Sequence, residues 1–193
     1  QEAAVRESDV SAQSFVLALA PGVARLDKDF YPLYVANHIF GGAGLSSRLS
    51  RAVREKEGLT YGIYSYFSNS DAGDLWQVYF SATPENTSRI MTLTAEEYGA
   101  FYRDGVGDEE VALAKKSLMS SFNLRFASLL DIADMLEQMQ VQVLGADFLK
   151  TRQAQVAAVT AEAVNDAVRR RMPKSFAAGA GMRVFEVSGA LNE

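Results

Sequence analysis

Arg54 and Tyr61 are the pair of side chains in this sequence best suited to act together on a substrate. Arg54 is expected at the end of a helix that Gly58 stops, and Tyr61 is expected to open the next strand. A guanidinium and a phenol aimed at one point can both donate to a carbonyl oxygen, or to the oxyanion formed from it. The spacing alone favours a plainer interpretation, in which Arg54 meets a helix dipole and Tyr61 belongs to a row of strand aromatics.

A glycine-rich loop just before this pair is the second candidate. Its notable residues are Gly41, Gly42, Gly44, Ser46 and Ser47. Glycines that lead into a helix N-terminus can cradle a phosphate. This loop lacks a Gly-Lys-Ser/Thr ending and follows a helix instead of a strand, so we interpret it as a tight turn that allows close backbone approach. A nucleotide or small-molecule binder is the alternative that the loop leaves open.

Histidine and cysteine counts restrict the remaining chemistry. The chain has one histidine, His38, and no cysteine. Disulfides, thiol nucleophiles, cysteine-based zinc sites and two-histidine metal sites within the chain are therefore excluded. His38 lies in an apolar stretch and is interpreted as a core histidine instead of a base.

Charge and hydropathy exclude further classes of protein. The formal net charge is −5, which disfavours binding of nucleic acid because that needs a basic surface. No apolar run reaches the roughly 18–20 residues that span a bilayer, so we expect no membrane span. The chain begins at Gln1 instead of Met, and we expect an excised segment or a processed product.

The elements that must position these residues follow from hydrophobic periodicity and turn signals. Residues 1–12 are polar and predict a linker or lead-in, and 13–193 predict a single domain. Strands are predicted at 14–20 (buried on both faces), 59–69, 75–82 and 182–187. Helices are predicted at 27–40, 46–56, 84–103, 108 to a break near 128, 128–144, 148–157 and 160–172. This order predicts an α+β fold, a two-layer sandwich in which several helices pack on a mostly antiparallel sheet.

The chain resembles the carboxy-terminal, non-metal half-domain of the M16 zinc peptidases, which include pitrilysin, insulin-degrading enzyme and the mitochondrial processing peptidase. The resemblance extends from about residue 14 to residue 173. It is carried mainly by Gly41-Gly42, Ser46-Ser47-Arg48-Leu49, Arg54-Glu55-Lys56 and Gly58-Leu59-Thr60-Tyr61. Two predicted helix N-termini fit the same pattern, namely Thr83-Pro84-Glu85 and Gly107-Asp108-Glu109-Glu110.

That resemblance implies a LuxS/MPP-like fold and a shared active site. A facing half, on the same parent chain or on a separate subunit, would carry His-x-x-Glu-His and the zinc. Arg54 and Tyr61 would be catalytic residues that bind the carbonyl of a peptide substrate and its oxyanion, with the glycine loop as scaffold nearby. Here the corresponding helix reads His38-Ile39-Phe40-Gly41-Gly42, so this half is expected to hold no metal and to be inactive alone.

Two questions stay open on the sequence. Some members of the family have lost catalysis and serve as scaffold subunits, which is the alternative to a substrate-binding half. The sequence also assigns no compartment, although the resemblance is compatible with a bacterial periplasm or cytoplasm.

Overall fold

The computed structural model describes residues 4–9, 13–70 and 72–189. Within them one mixed sheet has the strand order β1-β5-β2-β4-β3. The strands are β1 Ala4–Asp9, β2 Ser14–Pro21, β3 Ile63–Ser70, β4 Gly73–Ala82 and β5 Arg183–Gly189. Strand β1 pairs with β5 in parallel, and the other neighbours are antiparallel. This confirms the predicted α+β class.

The helices of the described residues fall close to the predicted ranges. They are α1 Phe30–Asn37, α2 Pro84–Asp104, α3 Asp108–Asn123, α4 Leu129–Val141, α5 Phe148–Ala157 and α6 Ala161–Arg171. Two π-helical segments, His38–Gly42 and Ser50–Glu55, lie around the glycine loop. Helix α1 begins at Phe30 instead of residue 27, because Asp27 forms a turn in which its Oδ1 accepts the N–H of Asp29 at 2.8 Å.

One face of the sheet is packed by helices and forms the core. Alternate residues of β2 and β4 point into it, with Val16 opposite Phe80, Ala18 opposite Val78 and Ala20 opposite Trp76. An aromatic cluster fills the layer between sheet and helices. Its members are Phe40, Trp76, Tyr98, Phe101 and Phe176.

The opposite face of the sheet is only partly covered. Phe15 is 53% exposed and Tyr79 43% exposed, and both belong to the alternate set of side chains. The prediction that 14–20 is buried on both faces is therefore wrong. An apolar run shows that both faces of a strand are hydrophobic, but it does not show whether the same chain covers both.

The polar segment 1–12 also differs from expectation, because Ala4–Asp9 form the edge strand β1 instead of a linker. Its register runs from Ala4 opposite Val184 to Asp9 opposite Gly189. An edge strand is held by backbone hydrogen bonds along one side, and it tolerates charged residues that a central strand would exclude. The division of the chain into a lead-in and one domain stays a prediction.

Candidate active-site residues and family membership

The loop before β3 carries Tyr61. The sequence pattern predicts strand at residues 59–62, but β3 begins only at Ile63. Thr60 is buried there, and its Oγ1 lies 2.7 Å from the Ser81 carbonyl oxygen of β4 and accepts the Gly62 N–H at 3.1 Å. This side chain replaces the backbone pairing that a strand would make, and it fixes the loop against the sheet.

Tyr61 projects from this loop and is 88% exposed. Within the described part of the chain, its hydroxyl has no hydrogen-bond partner. The ring lines a groove of about 650 Å³ on the uncovered sheet face, which we call the open groove. Its other apolar lining residues include Phe15, Leu17, Tyr64, Tyr66, Tyr79 and Val187.

Arg54 lies at the end of the second π-helical segment and is half-buried. Its carbonyl oxygen accepts the N–H of Gly58 at 2.9 Å, and Gly58 has φ +66°, so the predicted left-handed stop is present. The open groove is lined by Tyr61 but not by Arg54. Among the described residues the guanidinium has no ion-pair partner. The predicted meeting of Arg54 and Tyr61 at one point thus stays a prediction.

The glycine loop is packed tightly against the sheet. A Cβ on Gly41 would lie 2.5 Å from Ser65 Oγ and 2.8 Å from the Ser65 backbone nitrogen on β3. Gly44 has φ +59°, a left-handed conformation that favours glycine. Gly41 is thus required for close approach, whereas Gly44 is required for its backbone angle.

Several polar groups of this loop are used within the loop itself. The N–H groups of Ala43 and Ser47 donate to the carbonyl oxygens of His38 and Gly44 at 2.9 and 3.2 Å. Ser46 Oγ donates to Ala43 O at 3.0 Å, and Ser47 Oγ donates to Gly44 O at 2.8 Å while it accepts the Ser50 N–H. Amides already satisfied in this way are not free to cradle a phosphate, which favours the scaffold interpretation.

Asn37 has a role that sequence reasoning missed. It ends α1 in the core, where its Oδ1 accepts hydrogen bonds from Ser65 Oγ at 2.7 Å and Trp76 Nε1 at 2.9 Å. Its Nδ2 donates to the Ser65 carbonyl oxygen at 3.1 Å. One amide therefore joins α1, β3 and β4 directly beneath the glycine loop. The available signal was an asparagine at a core position of an apolar helix.

Arg48 also serves the scaffold. Its Nε and Nη2 bind both oxygens of Glu110 at 2.8 and 2.6 Å, and Nη2 also donates to the Gly105 carbonyl oxygen. The hydrogen bond to Glu110 is the main reason that the pKa of Arg48 lies above its ordinary value. The glycine loop is in this way clamped to the junction of α2 and α3.

Residues 1–118 match the family model for the peptidase M16 inactive domain. This stretch contains the glycine loop, Arg48, Arg54 and Tyr61, and it covers more than half of the chain. The chain belongs to the M16 peptidase family. The expected resemblance is confirmed.

Two curated relatives are named uncharacterized zinc proteases. The chain is 35% identical over 109 residues to one from Streptomyces coelicolor, covering 56% of this chain and 24% of that protein. It is 31% identical over 142 residues to one from Mycobacterium bovis, covering 73% of this chain and 32% of that protein. The chain thus spans about a quarter to a third of the length of these relatives.

Solved structures show the same fold. An M16 inactive domain from Pseudomonas fluorescens superposes with a TM-score of 0.83 at 26% identity, over 97% of this chain and 43% of that one. An inactive peptidase domain from Bordetella parapertussis has a TM-score of 0.72 at 14% identity, and the match covers 90% and 91% of the two chains.

The zinc of an M16 peptidase does not fit this chain. His38 is the single histidine, and its Nε2 is buried with no polar partner among the described residues. Burial is the cause that lowers the pKa of His38 below its usual value of 6.5. In the described ranges no group of three histidine or acidic side chains could hold a metal ion.

The same ranges contain no helix long and apolar enough to cross a membrane.

Proposed function

We propose that this M16 inactive domain is the non-zinc, substrate-binding half of a zinc endopeptidase, and that it supplies Tyr61 and Arg54 to a zinc-bearing partner half. The observation that carries the proposal is the Tyr61 hydroxyl, which is exposed, unpartnered within the described residues and located beside an apolar groove. A tyrosine is amphipathic, so an exposed ring beside an apolar groove suits a surface that a second molecule covers. A partner surface or a substrate would contact the Tyr61 ring and accept a hydrogen bond from its hydroxyl.

The open groove supplies the second support. Leu17 and Tyr64 stand on either side of Tyr79 across neighbouring strands, and the Tyr64 and Tyr79 rings stack at 5.4 Å. A row of partly exposed aromatic and aliphatic side chains of this kind is typical of a surface that another protein or a peptide covers. The relatives named as zinc proteases make a zinc-bearing M16 half the natural occupant.

In this role the two side chains act on the peptide backbone. Tyr61 would donate its phenolic proton to the carbonyl oxygen that becomes the oxyanion, and Thr60 would hold the loop in place. Arg54 would bind the substrate backbone or a carboxylate through its fork of N–H donors. Because Arg54 is outside the groove lining, this role requires that the partner or the substrate extends beyond the groove to reach it.

The same position of Arg54 supports one other function, a scaffold subunit of the M16 family that takes no part in catalysis. The two functions differ in whether Arg54 and Tyr61 are needed for peptide cleavage.

The test is to combine the chain with a His-x-x-Glu-His half from the parent protein or a neighbouring gene, and to follow cleavage of a model peptide. We expect activity with the wild type and a loss of at least a hundredfold with the double variant Arg54→Ala/Tyr61→Phe. Full activity of the folded double variant would establish the scaffold function instead.

A further inference from the structure

A cavity of about 270 Å³ lies beside the edge strand β3, between α1 and the segment that holds α3, α4 and α5. Three arginines line it together with several aromatic rings. Arg152 comes from α5, Arg25 from the loop before α1, and Arg125 from the turn after α3. None of the three has a local sequence signal that marks it as a binding residue. We call this the arginine cavity.

Arg152 is the best buried of the three, with 4% of its surface exposed. Its guanidinium lies 4.0 Å from the centre of the Phe122 ring, and its Nη2 donates to the Tyr34 hydroxyl at 3.3 Å. Its Nη1 is buried and has no hydrogen-bond partner among the described residues. A buried N–H of a charged group normally has a partner, so this atom points to one that the described residues do not provide.

Arg25 repeats the pattern at half-burial. Its guanidinium stacks at 4.0 Å over Phe30 and at 5.2 Å from the Phe148 ring. Burial is the largest cause that lowers the pKa of Arg25, and the positive charges of Arg152 and Arg125 lower it further. No carboxylate within the described ranges forms an ion pair with it.

Three acidic side chains on segments next to the cavity are engaged elsewhere. Asp29 binds Arg170 and Arg171 of α6, and Asp27 binds Arg171 as well. Asp147 faces Lys150 at 3.7 Å at the surface. Among the described residues, the lining of the arginine cavity includes no aspartate or glutamate. Aromatic faces offset part of the cost of burying a cation, but they supply no acceptor for its N–H groups.

We propose that the arginine cavity binds the carboxylate of a small ligand or of an acidic peptide residue, with Arg152 Nη1 and Arg25 as its donors. A guanidinium fork matches a carboxylate geometrically. The phenyl rings and methionines of the lining would contact the apolar part of such a ligand. The volume is below the ~300–1,000 Å³ of sites for drug-sized ligands, so a single acidic residue or a short dicarboxylate is the size that fits.

The position of Tyr66 allows either source for the carboxylate. Tyr66 lines both the arginine cavity and the open groove. A peptide on the sheet face could therefore place an acidic side chain or its terminal carboxylate in the cavity, and a free dicarboxylate could enter alone. The proposal involves neither Arg54 nor Tyr61, and it is tested by binding instead of cleavage, so its failure would leave the proposed function untouched.

The experiment is isothermal titration calorimetry of the 193-residue chain in a low-chloride buffer. The probes are succinate, inorganic phosphate, the acidic peptide acetyl-Ala-Ala-Glu, and its neutral counterpart acetyl-Ala-Ala-Gln-amide. We expect saturable binding of succinate and of the acidic peptide, and no binding of the neutral peptide. Comparable affinity for succinate and the acidic peptide identifies a free small carboxylate as sufficient, whereas at least tenfold tighter binding of the peptide identifies a peptide ligand.

Variants assign the binding to the cavity. Arg152→Met and Arg25→Met should each weaken binding of the acidic probe at least tenfold, because each removes a donor. Arg169→Met is the matched control, since Arg169 is an exposed arginine of α6 outside the cavity lining. The acidic probe should also raise the melting temperature of the wild type and of this control, but not that of Arg152→Met.

Three results would overturn the proposal. They are the absence of saturable carboxylate binding to the folded wild type, binding of phosphate alone, and undiminished binding to a folded Arg152→Met variant. The first two need only the wild-type chain, so they decide the question even where a variant fails to fold.

Discussion

Tyr61 is an exposed aromatic residue on a loop that is anchored to the sheet. It is flanked by Thr60, which is buried and anchored to β4, and Gly62, where a Cβ would lie 2.6 Å from the Tyr64 ring. Thr60 thus anchors the backbone before the exposed aromatic side chain, and the nearby Tyr64 ring favours glycine directly after it. This is the arrangement expected where a side chain must be held ready for a partner that is another molecule.

Replacement of Tyr61 by phenylalanine removes only the hydroxyl and so tests its role as a hydrogen-bond donor to the substrate. With a zinc-bearing partner half present, Tyr61→Phe should lower kcat by roughly one to three orders of magnitude, because one donor to the oxyanion is lost. Steady-state cleavage of a model peptide measures the effect, with circular dichroism to check folding. Tyr79→Phe is the matched control, since Tyr79 is an exposed tyrosine of the same groove. Equal losses for the two variants would contradict a specific role for Tyr61.

His38 permits a clean test of a pKa, because it is the single histidine. Burial lowers its pKa in the folded chain below 6.5, so the unfolded chain binds the proton more tightly. The contribution of His38 to the free energy of unfolding is therefore complete above about pH 6.5 and is lost as the pH falls towards the folded-state pKa.

The Hε1 resonance of His38 reports that pKa directly by NMR, and urea unfolding from about pH 5 to pH 8 reports the linkage. The variant His38→Gln should lack this component of the pH dependence. A folded-state pKa at or above 6.5 would show that the ring is solvated or has gained an acidic partner.

At the scale of elements, the glycine loop is held by contacts from three sides. Gly41 touches β3, Asn37 joins α1 to β3 and β4, and Arg48 clamps the following helix to Glu110 at the start of α3. The motif that carries the family resemblance is, by its contacts, largely a packing motif. It places the π-helical segment that contains Arg54 and the loop that carries Tyr61.

Gly41→Ala should therefore destabilise the fold. The added methyl group would meet the Ser65 backbone nitrogen at 2.8 Å, and we expect a loss of about 1–3 kcal/mol in the free energy of unfolding. Gly99→Ala is the control within α2, where no atom lies within 4 Å of the new Cβ. That variant should gain roughly 0.5–1 kcal/mol. Chemical denaturation measures both, and an unchanged midpoint for Gly41→Ala would mean that β3 can move away.

At the scale of the whole molecule, the sheet has one face in the core and one facing outward. The helix side holds the aromatic cluster around Trp76, while the outward side holds the open groove. A two-layer domain with an apolar outer face is well suited to close against a second domain. In the isolated chain this face is available to a second copy.

We therefore expect weak self-association of the isolated chain, and Phe15→Lys should reduce it. Phe15 is 53% exposed at the open groove, and loss of its burial should weaken the dimer by about tenfold or more. Sedimentation velocity over a concentration series measures the effect. Leu113→Lys on α3 is the control, because Leu113 is 63% exposed but lies outside the open groove. A wild type that stays monomeric at millimolar concentration would contradict this expectation.

The sequence by itself determined the elements with strong local signals and the family. Pro84 at a first helical turn, the acidic start at Asp108 and the glycine at 58 are local devices whose energetics involve only neighbouring residues. The predicted bounds of the helix Phe148–Ala157 also match the observed ones. One histidine and no cysteine likewise suffice to exclude a two-histidine or cysteine-based metal site, because a ligand set depends on residue types that the chain must contain.

Only the tertiary structure decided features that depend on residues distant in sequence. Thr60 turned a predicted strand into a loop through Ser81, 21 positions away, and pairing with β5 made a strand of Ala4–Asp9. The contacts of Arg25 and Arg152 with aromatic rings from separate elements have no signature in any local window. The exposure of Phe15 and Tyr79 follows from which face of the sheet the helices cover, because periodicity reports the hydrophobicity of a face but not its neighbours.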